Sequence, residues 1–491
     1  MNKINHIIIR HIVLILIIFY SCENPNNNDS CNCNKELEFV IKYYEGNLPA
    51  FKVDVTENNF KSYSSLKTNF LEKSKSIIDT ISCFKLVNSY VEFFKDNHSK
   101  LTMNFKTVDE SNKEELNEFL KSKRFKGRET MPIKTEYKKQ YPLNDIRGIY
   151  THKSNTYKIA IVPDKSEFRD YVGIILESST PLWKPGQIKL EIMIDDSGNS
   201  AYLYTKNHGI RFYNRFPYNN GILGEGWFKD NLTEKIDHST NAEKQFLSKK
   251  LNDSIAYLRF PTFSNNYNAK IDSLYKASEN DIKASQYLIV DLRNNGGGND
   301  ENALPFLKYM YTNPIKTDVI DLYVTKANIL KWETWHKEAL RDSINYSKED
   351  IEWVSNVISE MKSTPLNSFI KRNNGKLIEL PKSEINLKKV AIIYNRNTAS
   401  SAETPLFWAM QSNNCILVGE NSGGYTGYGE VEYTLTGCFG FDLFSSMTKY
   451  KEQIKYDGIG VKPDFKLNND SDWINQTIAI LENFDKWKES N

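Results

Sequence analysis

The sequence predicts a multidomain α/β protein, and three observations carry that reading. Four apolar runs, Ile255–Phe260, Tyr287–Leu292, Val390–Tyr394 and Cys415–Val418, are continuous enough to be fully buried strands, and the helical pattern Leu406–Met410 falls between the last two. Between residues 146 and 230, short runs rich in Ile, Val and Tyr recur with turn residues among them. Ahead of both, Leu37, Val40, Ile41 and Tyr44 repeat at helical spacing, as do Leu86, Tyr90, Phe93 and Phe94.

Taken in order, the first 22 residues are set apart from the fold. Lys3, His6 and Arg10 precede the apolar stretch Ile12–Tyr20, which suits a signal-peptide core and is too short to span a bilayer. Ser21-Cys22 closes it like a bacterial lipoprotein cleavage site. Cys22 is then expected to become the lipidated first residue, anchored by more than one acyl chain, with the Asn-rich residues 23–34 as a polar tether. Residues 35–125 form the expected N-terminal helical domain, and the charged, poorly patterned stretch 108–145 reads as a linker. Within 140–240, the runs Ile146–Tyr150, Tyr157–Val162, Tyr171–Leu176, Gln187–Met193, Ala201–Tyr204 and Gly209–Tyr213 imply a small antiparallel β-barrel or sandwich. Residues 250–491 make the α/β core, with a helical insertion at about 320–385. There Ser347-Lys348-Glu349-Asp350 starts a helix with Ile351, Val354, Ile358 and Met361 on one face. Trp332, Trp335 and Trp353 in that insertion suit either packing or a lid.

Composition narrows the function classes. Lys+Arg number 64 and Asp+Glu 62, for a net charge of +2, so no global field favours nucleic acid. Aromatic residues reach 13%, with 28 tyrosines, which suits β structure and peptide-holding grooves. With Cys22 set aside, Cys31, Cys33, Cys83, Cys415 and Cys438 remain; an odd number cannot all pair, and Cys31-Asn32-Cys33 is too little for a metal site. No metal or cofactor is expected.

Two strand ends carry chemistry. The run Val390–Tyr394 stops at Asn395-Arg396-Asn397-Thr398, and Ala399-Ser400-Ser401-Ala402-Glu403 leads into a helix. A helix N-terminus offers free N–H groups and positive partial charge, so a serine there suits a nucleophile beside an oxyanion site, although an N-cap is the plainer alternative. Tyr287–Leu292 ends in Asn294-Asn295-Gly296-Gly297-Gly298-Asn299, where glycines allow a tight turn that presents backbone N–H groups. No Gly-Lys-Ser/Thr follows, which rules against a phosphate loop.

Asp291-Leu292-Arg293-Asn294-Asn295-Gly296-Gly297-Gly298, then Thr398-Ala399-Ser400-Ser401-Ala402-Glu403, then Leu417-Val418-Gly419-Glu420 and Gly460-Val461-Lys462-Pro463-Asp464 occur in that order. The chain resembles the tricorn and C-terminal processing family of serine peptidases over roughly residues 250–470, with a weaker echo near 37–101. The resemblance implies a crotonase-like α/β peptidase core. The processing branch of that family activates its serine with a lysine, but Tyr425 stands at the matching position and no lysine occurs between Ser400 and Lys449. The tricorn-like branch takes a histidine from the N-terminal region and an acid from near the C-terminus. Asp96-Asn97-His98-Ser99 resembles its Asp-Gly-His-Thr motif, with Asn97 where many relatives have glycine. The other histidines beyond the signal segment are His152, His208, His238 and His336, the last being the alternative base. Asp457 stands where the family commonly has Glu before Gly-x-Gly-Val-x-Pro-Asp.

The resemblance therefore implies Ser400 as nucleophile, His98 as base and Asp457 as the orienting acid, with backbone N–H groups of Gly297 and Ser401 for the oxyanion. Arg293 is expected to brace its loop through an ion pair, Glu403 to complement a helix N-terminus, and Asp464 to be structural. The expected protein is a lipid-anchored, extracytoplasmic serine endopeptidase acting on peptides or unfolded proteins, in the periplasm or at the cell surface. A non-catalytic binder of the same fold and an esterase using the same triad are the competing readings.

Overall fold

The computed structural model describes residues 31–484 apart from 196–197, 225, 233–244, 343–345, 382–386 and 468–471. The signal segment, Cys22, most of the tether and His238 lie outside the described residues.

A six-stranded sheet forms the centre of the C-terminal half, in the order Leu247–Asn252, Ile255–Arg259, Tyr287–Asp291, Lys389–Tyr394, Cys415–Gly419, Phe465–Lys466. The first pair is antiparallel and the rest are parallel. Side chains alternate across it as a pleat demands. Leu258, Leu288, Val290, Val390, Ile392 and Leu417 join one core with the helices Asn268–Lys283 and Thr404–Ala409. Ile255, Ile289, Ala391, Ile393 and Val418 face the opposite core, which the helix Trp473–Glu482 covers. Burial on both faces is why these strands read as unbroken apolar runs.

The N-terminal helices Cys33–Asn47 and Thr80–Val91 start on side-chain caps from Asn32 and Asp79. Leu37, Val40, Ile41 and Tyr44 are buried along the first of them. A disulfide between Cys33 and Cys83, 50 residues apart, ties the two helices together. Reduction, or Cys83→Ser, is expected to lower unfolding stability by about 4 kcal/mol on the chain-entropy scale, read as the shift in a denaturant midpoint with and without reductant. No change in midpoint would mean that packing alone holds these helices.

After these helices the chain turns at Asp96–His98 into the strand Lys100–Met103, which lies between Asp442–Ser445 and Ile210–Tyr213. It belongs to one antiparallel sheet of twelve strands, running from Glu432–Leu435 at one end to Tyr218–Asn219 at the other. The expected strands between 146 and 213 are all present in it, with small shifts at their ends. The sheet is larger than the small barrel or sandwich expected, because segments 100–103 and 432–445 supply three of its strands. The stretch expected to be a linker also folds: Asn112 caps the helix Lys113–Lys121, and Phe119 and Phe125 are buried.

The insertion contains the helices Lys326–Arg341 and Lys348–Ser363, the second opened by the Ser347/Asp350 capping box. Its strands Val319–Val324 and Ser368–Asn374 pair with each other, and the first also pairs with Thr448–Tyr450. Trp332 is fully buried and packs on Trp335 and Trp353, with the Arg372 guanidinium over two of these rings. These tryptophans are core.

Candidate active site

The carboxyl ends of the parallel strands Tyr287–Asp291, Lys389–Tyr394 and Cys415–Gly419 release three loops that meet on one edge of the sheet. Such an edge is where open α/β sheets generally place ligands. The glycine loop lies directly against the serine loop. A Cβ on Gly297, whose φ is +95°, would stand 2.9 Å from Ser400 Cβ and 3.0 Å from Ser401 N, so only glycine permits this approach.

Ser400 begins a short 3₁₀ turn, Ser400–Ala402, ahead of the helix Thr404–Ala409. Its φ of +56° is a left-handed conformation that costs a non-glycine residue about 1 to 3 kcal/mol. The surroundings impose it. Glu403, fully buried, accepts Ser400 N–H at 2.9 Å and Tyr425 N–H at 2.8 Å on one carboxylate oxygen, and Ser422 Oγ and Gly424 N–H on the other. Ala399 N–H donates to Asn295 O, fastening the serine loop to the glycine loop. Burial raises the Glu403 pKa, opposed by these four hydrogen bonds. Glu403 thus does more than complement a helix end: it joins the serine loop to the loop 422–425.

His98 reaches this edge from 302 residues away, with Nε2 3.2 Å from Ser400 Oγ. The pairing of Lys100–Thr102 with Asp442–Phe444 explains how, since it ties the segment after His98 to the C-terminal part of the chain. The His98 ring meets Tyr425 edge-on at 5.3 Å, so the residue standing where a lysine base was considered forms a wall of the histidine's position. Ser401 Oγ, by contrast, donates to Gly298 O at 2.9 Å. The two adjacent hydroxyls therefore have different surroundings, one facing a base and one holding a loop.

Asp457 Oδ1 accepts the N–H groups of Thr426 and Gly427 at 2.9 and 2.8 Å, and Asn97 N–H lies beside the same carboxyl group. Burial first, and the neighbouring Asp96 carboxylate second, push its pKa up to about 7. Asp96 is itself buried, accepts His98 N–H, and stands with Oδ1 3.9 Å from His98 Nδ1. Sequence reasoning treated Asp96 only as part of a motif and missed that it brings a carboxylate to the histidine. The Gly297 N–H, expected to face an oxyanion, donates instead to Asn295 Oδ1 at 3.0 Å, an Asx-type turn that shapes the glycine loop. Ser401 N–H lies in the first turn of the 3₁₀ segment, where helical N–H groups have no intrahelical acceptor.

The remaining candidates are placed away from this chemistry. Arg293 and Arg259 both pair with the fully buried Asp291 at 2.6 Å, and Tyr257 OH donates to it, so Arg293 braces the strand end as expected. Asp464 exchanges hydrogen bonds with the backbone of Leu417. His152 bonds Ser154, and His208 is buried against Trp183 with Nε2 at Leu182 O; burial lowers both pKa values, to about 4 and about 3. His336 lies on the insertion helix Lys326–Arg341, and the Lys449 ammonium sits over the Phe369 ring.

Comparison with known proteins gives a family likeness for the C-terminal half. Residues 254–467 match the family model of Peptidase family S41. Residues 254–467 thus carry a peptidase family S41 segment. The match spans five strands of the six-stranded sheet, all but Leu247–Asn252, and includes Ser400 and Asp457, while His98 lies before it. The match supports serine-type peptidase activity, the hydrolysis of a peptide or protein substrate. Solved structures similar to this chain include mature CPAF, with 10% identity over 89% of this chain and 93% of that one, at a TM-score of 0.46. The photosystem II D1 C-terminal processing protease shares 13% identity over 89% and 93%, at 0.35. The tricorn protease shares 14% over 91% of this chain and 36% of its own length, at 0.34. At these values the likenesses carry no argument about the site. No curated protein matches the sequence.

Proposed function

We propose that this chain is a peptidase of family S41, an extracytoplasmic serine endopeptidase of the tricorn-like branch, with a crotonase-like core and a Ser400-His98-Asp457 triad. The observation that carries the reading is the 3.2 Å approach of His98 Nε2 to Ser400 Oγ. A serine hydroxyl is barely nucleophilic at neutral pH and needs a base at that distance. Ser400 Oγ attacks the peptide carbonyl as His98 Nε2 takes its proton. His98 then passes that proton to the leaving amine, and water, deprotonated by the same nitrogen, releases the acyl group from Ser400. Asp457 stabilises the imidazolium in this scheme. Ser401 N–H is the oxyanion donor, worth about 3 kcal/mol of barrier; Gly297 could add a second only by sharing the N–H it gives to Asn295.

The Cys33–Cys83 disulfide supports the extracytoplasmic part of the reading, since such bonds persist mainly outside the reducing cytoplasm. Anchoring through lipid on Cys22, with residues 23–34 as the tether, completes it; no helix among the described residues is long and apolar enough to cross a membrane. The test is turnover of a fluorogenic peptide amide and of an ester with the same side chains. Amide hydrolysis with release of an internal fragment is expected. Ester hydrolysis alone would make the protein an acyl hydrolase, and neither activity would leave a binder.

A further inference from the structure

Three loops carry the groups of the proposed triad, and their backbones converge on Gly423 and Gly424. Gly424 O accepts two donors: Asn97 Nδ2 at 2.7 Å, from the residue before His98, and Gly458 N at 2.8 Å, from the residue after Asp457. On the serine side, Gly424 N donates to Glu403, which also holds Ser400 N–H, and Gly423 N donates to Thr398 O at 2.7 Å. The packing leaves no slack. Gly424 has φ of +75°, and a Cβ there would lie 2.7 Å from Gly460 N.

Arg215 grips the same place from the large sheet. It follows the strand Ile210–Tyr213, and its guanidinium donates to Gly423 O at 3.0 Å through Nη1 and to Gly458 O through Nη2. One planar fork thus spans the loop that follows Cys415–Gly419 and the loop that holds Asp457, a geometry that a lysine cannot reproduce.

We infer that Asn97 and Arg215 are positioning residues, which fix His98 and Asp457 relative to Ser400 by clamping Gly423, Gly424 and Gly458. The inference rests on the peptidase reading of the site and adds residues outside the triad to it. Neither side chain meets the reacting atoms, and both use backbone carbonyls as acceptors. Loss of either donor therefore frees a loop without removing a catalytic group. Catalysis is far more sensitive to such loosening than folding is, because a displacement of about 1 Å can cost about a hundredfold in rate. Asn97 occupies a position where the resembling motif has glycine, which has no side chain to make this bond, so its clamp is a property of this chain.

The test compares the full-length chain with Asn97→Ala, Arg215→Ala and Arg215→Lys, using kcat and KM on the fluorogenic peptide, the melting temperature, and hydrogen exchange of the segments 94–101 and 455–460. Each alanine variant is expected to lose about tenfold or more in kcat, with KM within about twofold and a melting temperature within about 4 °C of the parent. Exchange should quicken in 94–101 for Asn97→Ala and in 455–460 for Arg215→Ala. Arg215→Lys, keeping one donor, should recover part of the lost kcat. Unchanged kcat in both alanine variants overturns the inference, as does a loss shared with KM and matched by a large fall in melting temperature. If the parent hydrolyses nothing, the peptidase reading fails by itself. The exchange data still decide the clamp in that case, since unaltered protection of both segments would refute it.

Discussion

Ser400→Ala is expected to abolish covalent labelling by a fluorophosphonate and to lower peptide turnover by about a millionfold, the loss typical when a triad nucleophile is removed. The size follows from the division of labour between adjacent hydroxyls. Ser400 Oγ faces His98 Nε2, whereas Ser401 Oγ is committed to Gly298 O and has the poorer claim to a base. Ser401→Ala should therefore keep its labelling and lose turnover only modestly, through a looser glycine loop. The fold should survive Ser400→Ala, because the loop is held by Glu403, Asn295 and Gly423 rather than by the reacting hydroxyl. Melting temperature and mass-spectrometric mapping of the labelled peptide check both points together. Labelling that persists in Ser400→Ala and vanishes in Ser401→Ala would reassign the nucleophile and break the link to His98.

Much of this was legible in the sequence because the relevant signals are local. Buried strands announce themselves as apolar runs, so Tyr287–Asp291 and Lys389–Tyr394 fall where the pattern predicts, to within a residue or two. The Ser347 capping box is equally local, and the structure contains it. What escaped depends on partners far along the chain. Nothing in Lys100–Met103 says that it pairs with Asp442–Ser445, so the extent of the large sheet was invisible. The helix Lys113–Lys121 was read as part of a linker because it is only nine residues long, with Phe119 its one buried residue amid charge. At the site, a Gly-Gly-Gly run reveals freedom to turn but not which amide points inward. The bond from Gly297 to Asn295 depends on the asparagine's rotamer. Glu403 was underestimated for a similar reason: its four hydrogen-bond partners span residues 400 to 425 and assemble only when the loops meet.

Asp457→Asn is expected to cost about four powers of ten in kcat, the scale seen when a triad aspartate is neutralised without changing its shape. The environment of Asp457 adds a pH signature. Burial and the nearby Asp96 carboxylate lift its pKa to about 7, so the ionised form that would stabilise an imidazolium is filled only as the pH passes neutrality. Activity of the parent should accordingly rise from pH 6 to pH 8, with a limb that belongs to the interacting carboxyl groups of Asp457 and Asp96 rather than to one residue. Stability runs the other way. A folded-state pKa above the unfolded value means that the native state binds the extra proton, so this group favours folding below about pH 4. That contribution drains away as the pH climbs toward 7. Asparagine cannot ionise, so the variant should show a flatter stability profile across that window, measured by denaturant unfolding at a series of pH values. The two profiles together separate a catalytic carboxylate from a structural one. If kcat instead stays within tenfold of the parent, the orienting role passes to Asp96, whose carboxylate already lies 3.9 Å from His98 Nδ1, and Asp457 is left holding the amides of Thr426 and Gly427.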